Sequence, residues 1–176
     1  RATLDALQGM ADLPLRTDPK LAEFADQLAR SDLQVFMLSN QLPLLEAGRE
    51  GQQVVGQTAA YCGPGPTQPG RFLDTTRIIA FSDPNDLMSY PVPDQFAARY
   101  IESRLCPSVT NITINVAAVN SFLGLGEVAN PLGAHIGYGP DERVGALIAN
   151  GAGNQNVAPL VAERCTWRET DESLMR

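Results

Sequence analysis

Ile78-Ile79-Ala80-Phe81-Ser82-Asp83-Pro84-Asn85-Asp86 decides the fold of this chain. Four consecutive apolar residues without polar alternation are the pattern of a strand buried on both faces of a parallel sheet. Ser82-Asp83-Pro84 ends it, because proline brings no N–H to a ladder and aspartate favours turns. Related runs lie on both sides. Upstream, Val35-Phe36-Met37-Leu38 reads as a strand that has ended by Pro43. Downstream, Ile112 to Val119 is rich in β-branched residues and predicts a third strand. Helical spacing fills the gaps. Leu21, Phe24, Ala25 and Leu28 follow an N-cap at Asp18 and a first-turn Pro19. Phe96, Ala97, Tyr100, Ile101 and Leu105 share one side of a helix over 94–105. Val144, Leu147 and Ile148 do so in a helix opened by Asp141 and stopped near Asn150-Gly151. A helix over 46–60 is weakened by Gly48, Gly51 and Gly56. Alternation of strand and helix predicts an α/β fold with a mostly parallel sheet flanked by helices.

The 176 residues are expected to form a single domain, with 61–70 as a Pro/Gly surface loop and 169–176 as a frayed tail. Hydrophobic residues make up 44% and charged residues 19%, a globular composition. The net charge of −7 disfavours nucleic acid and anionic membrane surfaces as partners. No apolar run is long enough for a transmembrane segment. Cys62, Cys106 and Cys165 match no zinc spacing; one disulfide could form, and the odd count leaves a free thiol. Asn111-Ile112-Thr113 fits a glycosylation acceptor, a triplet common by chance. Neither phosphate-cradling glycine motif occurs, since Gly124-Leu125-Gly126 lacks its third glycine.

Chemistry in an open α/β sheet gathers outside the carboxyl ends of its strands. The acidic loop Ser82–Asp86 leaves the second strand, and a long Gly-rich loop from Asn120 to Pro140, carrying the chain's one histidine, His135, leaves the third. A carboxylate and an imidazole on neighbouring strand ends can meet. The carboxylate then fixes the ring tautomer while the other ring nitrogen handles a proton. Asp86, a few residues past the strand and followed by Leu87-Met88, is the expected acid. Asp83, which precedes Pro84 and reads as a turn-former, is the alternative.

These stretches, Ile78 to Tyr90 and Gly133-Ala134-His135-Ile136-Gly137-Tyr138, with Val35 to Leu45 before them, resemble the C-terminal half of the α/β-hydrolase fold over about residues 33–150. In that family the triad runs Ser, Asp or Glu, His along the chain. The resemblance implies a serine esterase or lipase-like activity on a small-molecule or lipid ester, with catalytic Asp86 and His135, no cofactor and no metal. Ser39, Asn40 and Gln41 after the first strand, with Asn120, Ser121 and Phe122 after the last, are expected near the pocket mouth. The pattern is incomplete. None of Ser31, Ser39, Ser82, Ser89, Ser103, Ser108, Ser121 and Ser173 has the flanking residues of Gly-x-Ser-x-Gly, and none reads as standing between an early strand and a helix. Arg1 stands where an initiator methionine would be. The expectation is therefore the C-terminal portion of a longer hydrolase. Its nucleophile lies upstream, and its missing N-terminal half, or another chain, packs near Val35–Leu38. The competing reading is a non-catalytic α/β binding domain in which Asp86 and His135 are structural.

Overall fold

A computed structural model of the chain describes residues 2–15, 17–46, 54, 57–62, 70–117, 119–121, 127–150 and 168–173. The core is a four-stranded sheet in the order β1 (Asp32–Leu38), β2 (Thr75–Ser82), β3 (Pro107–Thr113) and β6 (Arg168–Ser173). The first three strands are parallel, with Val35 opposite Ile78 and Ile78 opposite Val109; β6 is antiparallel to β3. A two-stranded antiparallel unit, β4 (Val119–Ser121) with β5 (Glu127–Ala129), stands apart.

The unbroken apolar run of β2 is explained by its central place. Side chains alternate across a strand, so consecutive residues serve opposite faces. Ile78 and Ala80 enter one cluster with Val109, Val92, Phe96, Ile101 and Leu105. Ile79 and Phe81 enter another with Ile112, Ile114, Val144 and Leu147. The first face is covered by residues of α1 (Ala2–Ala11), α2 (Pro19–Leu28) and α4 (Phe96–Tyr100). The second is covered by α6 (Glu142–Asn150) and Tyr138, which follows α5 (Pro131–Ile136). The expected α/β class with helices on a parallel sheet is what the structure has. β1 is an edge, and its Val35, Phe36 and Met37 are only half-buried.

Several boundaries differ from those read in the sequence. The third strand begins at Pro107 and ends at Thr113, five residues earlier at its start than the apolar run suggested. The helix expected over 94–105 stops at Tyr100, and a separate 3-10 turn follows at Ser103–Leu105. The helix expected over 46–60 lies mostly outside the described residues; a five-residue helix, α3 (Leu42–Glu46), precedes it and a 3-10 turn at Ala59–Tyr61 follows. The stretch read as a frayed tail pairs with β3 through Ser173. Its run of charged and polar residues, Arg168-Glu169-Thr170-Asp171-Glu172-Ser173, gives no apolar period by which a strand could be seen. Of the expected surface loop 61–70, residues 63–69 lie outside the described residues.

Asn111 is committed to the scaffold. Its side chain accepts from the Val92 N–H at 2.8 Å and donates to the Val92 carbonyl at 3.0 Å, so it is not a free glycan acceptor in the folded chain. Cys62 and Cys106 form a disulfide.

Candidate active site

Three segments converge beyond the carboxyl ends of β1 and β2. The first is the turn from β1 into α3. The second is the acidic loop after β2. The third is α5 with the turn behind it.

The acidic loop is built by its two aspartates in different ways. Asp83 is buried and uses both oxygens on the scaffold. Oδ2 accepts from the backbone N–H groups of Val116 at 2.6 Å and Ala117 at 3.0 Å. Oδ1 accepts from the Asn85 backbone at 2.7 Å and its side-chain amide at 2.9 Å. The alternative acid is therefore a clamp between the end of β2 and the segment leaving β3, its oxygens taken up by Asn85, Val116 and Ala117. Asp83→Ala is expected to strand three backbone N–H groups and cost about 3 kcal/mol of stability, read as a lower denaturant midpoint. An unchanged midpoint would refute the clamp.

Asp86 follows one turn later, its N–H bonded to the Asp83 carbonyl at 3.0 Å. Its side chain is 1% exposed. Both oxygens lie 3.1 Å from His135 Nδ1. Oδ1 also accepts from the Met88 N–H at 3.0 Å, and Oδ2 from the Ser39 hydroxyl at 2.8 Å and the Tyr138 hydroxyl at 3.4 Å. Burial pushes this carboxyl up, but the Met88 amide, the Ser39 hydroxyl and His135 together outweigh it and hold Asp86 below the usual carboxylate value.

His135 sits on α5, a helix where the sequence suggested loop. Asn130 caps the helix by accepting from the Leu132 N–H at 3.0 Å, and Pro131 occupies its first turn. His135 and Tyr138 stand three positions apart, so both can face one side. Tyr138 is buried at 2% and donates to Ser89 Oγ at 3.1 Å. Burial pushes its phenol up to about 12, with the neighbouring Asp86 charge adding to the rise. Gly137 admits the close approach of this turn, since a Cβ there would lie 2.6 Å from the Gly133 carbonyl oxygen and 3.2 Å from Val116.

The β1–α3 turn supplies residues the sequence reading placed differently. Ser39, rejected for its flanking residues, does stand between a strand and a helix, at φ +52°. Its Oγ is 2.9 Å from His135 Nδ1. Asn40 is not at a pocket mouth. It is 2% exposed, its amide donates to the Tyr90 carbonyl at 2.7 Å, and its oxygen accepts from the Leu42 N–H at 3.2 Å. It struts the turn against the acidic loop. Gln41 does reach the site, its Nε2 lying 3.3 Å from His135 Nε2. Phe122 lies outside the described residues. Sequence reasoning placed Ser39 only by its position after the first strand and missed Ser89 and Tyr138; the His-x-x-Tyr spacing is the one signal that could have found Tyr138.

An open groove of about 620 Å³ lies beside this cluster, lined by Pro43, Tyr90, Val92, Pro93 and Thr113 among others, and touches neither Asp86 nor His135. Among the described residues no group of three or more His, Cys, Asp and Glu is placed to hold a metal ion, and no helix is long and apolar enough to cross a membrane.

The geometry can do one thing clearly. A buried, charged carboxylate holds one ring nitrogen of a partly exposed imidazole, and the other, which the Gln41 side chain meets at 3.3 Å, is left to exchange a proton once that side chain is displaced. Compared with protein families, with curated proteins and with solved structures, the chain matches none.

Proposed function

We propose that this chain is the acid- and base-bearing portion of a serine hydrolase of the α/β-hydrolase type acting on esters. The reading is carried by one observation: His135 Nδ1 lies 3.1 Å from both oxygens of a carboxylate that is 1% exposed. Structural Asp–His pairs need no such burial of the acid, whereas a catalytic pair gains from a charge that stays put and aims the ring.

The nucleophile is a serine contributed by sequence preceding this chain in the natural protein. Its Oγ attacks the ester carbonyl and passes its proton to His135 Nε2. His135 then returns that proton to the departing alcohol, and water repeats the cycle to free the acid and the serine. Gln41 stands where that hydroxyl must arrive, so it moves aside as the serine docks. The preceding half packs along the edge of β1, whose half-buried Val35, Phe36 and Met37 are the kind of side chains a further layer would cover. An apolar acyl group suits the surroundings. Leu87 and Met88 follow Asp86 directly, Leu132 and Ile136 flank His135 on α5, and all four are exposed.

The test is labelling of the natural, full-length protein with a fluorophosphonate probe. Labelling that disappears in His135→Ala is the expected result. A folded full-length protein that takes no label would overturn the reading and favour the binding domain.

A further inference from the structure

We infer that the β1–α3 turn is a tautomer clamp: Ser39 and Gln41 grip the two ring nitrogens of His135 from opposite sides and fix the neutral imidazole as its Nδ1–H form. Ser39 is thereby a positioning residue, not the nucleophile. The inference deepens the hydrolase reading and rests on it for its catalytic meaning.

The contacts leave little choice of tautomer. Nδ1 faces two carboxylate oxygens at 3.1 Å each and the Ser39 oxygen at 2.9 Å. The Ser39 hydroxyl gives its own proton to Asp86 Oδ2 at 2.8 Å. An unprotonated Nδ1 would turn its lone pair on a charged carboxylate with no proton between them. A protonated Nδ1 donates to Asp86 and to the Ser39 oxygen and closes a three-membered ring of hydrogen bonds. The opposite nitrogen must then be the acceptor, and the Gln41 amide donates to it at 3.3 Å. A neutral imidazole free in water prefers the reverse form, with its proton on Nε2, so the clamp works against the ring's own preference. The result is a lone pair on Nε2, the form a general base needs.

Two features exclude Ser39 as the attacking group. Its Oγ lies on the Nδ1 side, with its proton committed to the carboxylate. The N–H of Asn40, which as the following residue would have to meet an oxyanion, is bonded to the Phe81 carbonyl at 3.4 Å. The left-handed backbone at Ser39 points to a constraint met for the sake of the side chain. A non-glycine residue at φ +52° is strained, and glycine would avoid that strain.

His135 is the chain's single histidine, so its ring nitrogens can be read by NMR without assignment by mutation. In the 176-residue chain, above the pH at which the ring is neutral, Nδ1 is expected to carry the proton and Nε2 to be bare. Ser39→Ala and Ser39→Gly both remove the hydroxyl, but only the first keeps the backbone strain. Both are expected to move the tautomer ratio about tenfold toward Nε2–H. Gln41→Leu is expected to shift the Nε2 resonance alone. A wild-type ring protonated on Nε2, or a ratio unmoved in both Ser39 variants, overturns the clamp. A ratio moved in Ser39→Gly but not in Ser39→Ala also overturns it, since release of the backbone strain would then be the cause. The readout needs no turnover. Failed fluorophosphonate labelling with a clamped ring sinks the hydrolase reading alone, and labelling with an unclamped ring sinks this inference alone.

Discussion

Asp86→Asn in the full-length natural protein is expected to lower kcat by about 10⁴-fold while leaving substrate binding nearly unchanged. An asparagine is close to isosteric, so the shape of the acidic loop survives. Its amide, however, offers the ring one acceptor where the carboxylate offered two, and it can present N–H groups to Nδ1. The imidazole then gains by carrying its proton on Nε2, which removes the lone pair that must take the serine proton. The imidazolium formed in the transition state also loses the buried negative charge that balances it. A drop in kcat with KM held is the signature of such a loss, and activity within tenfold of wild type would mean that Asp86 is not the acid. The same variant should change the acid side of stability. The Asp86 carboxyl is held below its unfolded value, so its contribution is present above about pH 4 and is lost as pH falls through the depressed value. Asp86→Asn is expected to flatten that limb in acid-unfolding curves. Asp83→Ala, by contrast, is expected to strike stability at every pH, because the groups it strands are backbone N–H.

The different fates of the two aspartates show how far the sequence could be read. The four apolar residues before them placed β2 at the centre, because only a strand covered on both faces can spare polar alternation. Distance from the strand end favoured Asp86 over Asp83, and the carboxylate of Asp86 lies 3.1 Å from the His135 ring. What the sequence did not contain was the reason for that separation. Asp83 is held by the N–H groups of Val116 and Ala117, more than thirty residues away. Those bonds also draw residues 116 and 117 out of β3, which is why the strand stops at Thr113 although β-branched residues continue past it. The helix carrying His135 was hidden for a related reason. Gly133 and Gly137 argue for a loop by composition, yet Asn130-Pro131 is a cap followed by a first-turn proline, and Gly137 is there because the turn packs too closely for a Cβ. Ser39 was placed near the site by its position after β1, but its contact with His135 and Asp86 could not be read, since it comes from a backbone angle that its residue type does not announce. The likeness to a hydrolase half, inferred from order and spacing, is a proposal for the labelling experiment. The α/β architecture alone would fit many activities.

Replacing both Cys62 and Cys106 by serine is expected to destabilise the chain by about 4 kcal/mol, the loop-closure entropy of a bridge between residues 44 apart. The Cα atoms are 5.3 Å apart, inside the span a disulfide accepts without moving the backbone. Position makes the bond matter as well as loop length. Cys106 stands immediately before β3, and its carbonyl accepts from the Thr76 N–H of β2 at 3.0 Å. Cys62 follows the 3-10 turn at Ala59–Tyr61. Reduction therefore frees one end of the central strand pair from the 3-10 turn before Cys62, and the loss should appear first at the β2–β3 end away from Asp86. For a chain of this size 4 kcal/mol corresponds to a fall in Tm of roughly 8–16 °C. Thiol counting supplies the independent check. Of the three cysteines, one should react in the denatured unreduced protein and all three after reduction. Three reactive thiols without reductant, or a double-serine variant that melts with the wild type, would show that the bridge does not hold this fold. A bond of this kind persists where thiols are kept oxidised. In a reducing buffer the Asp86–His135 pair should then be measured on a chain already weakened at the opposite end of its sheet.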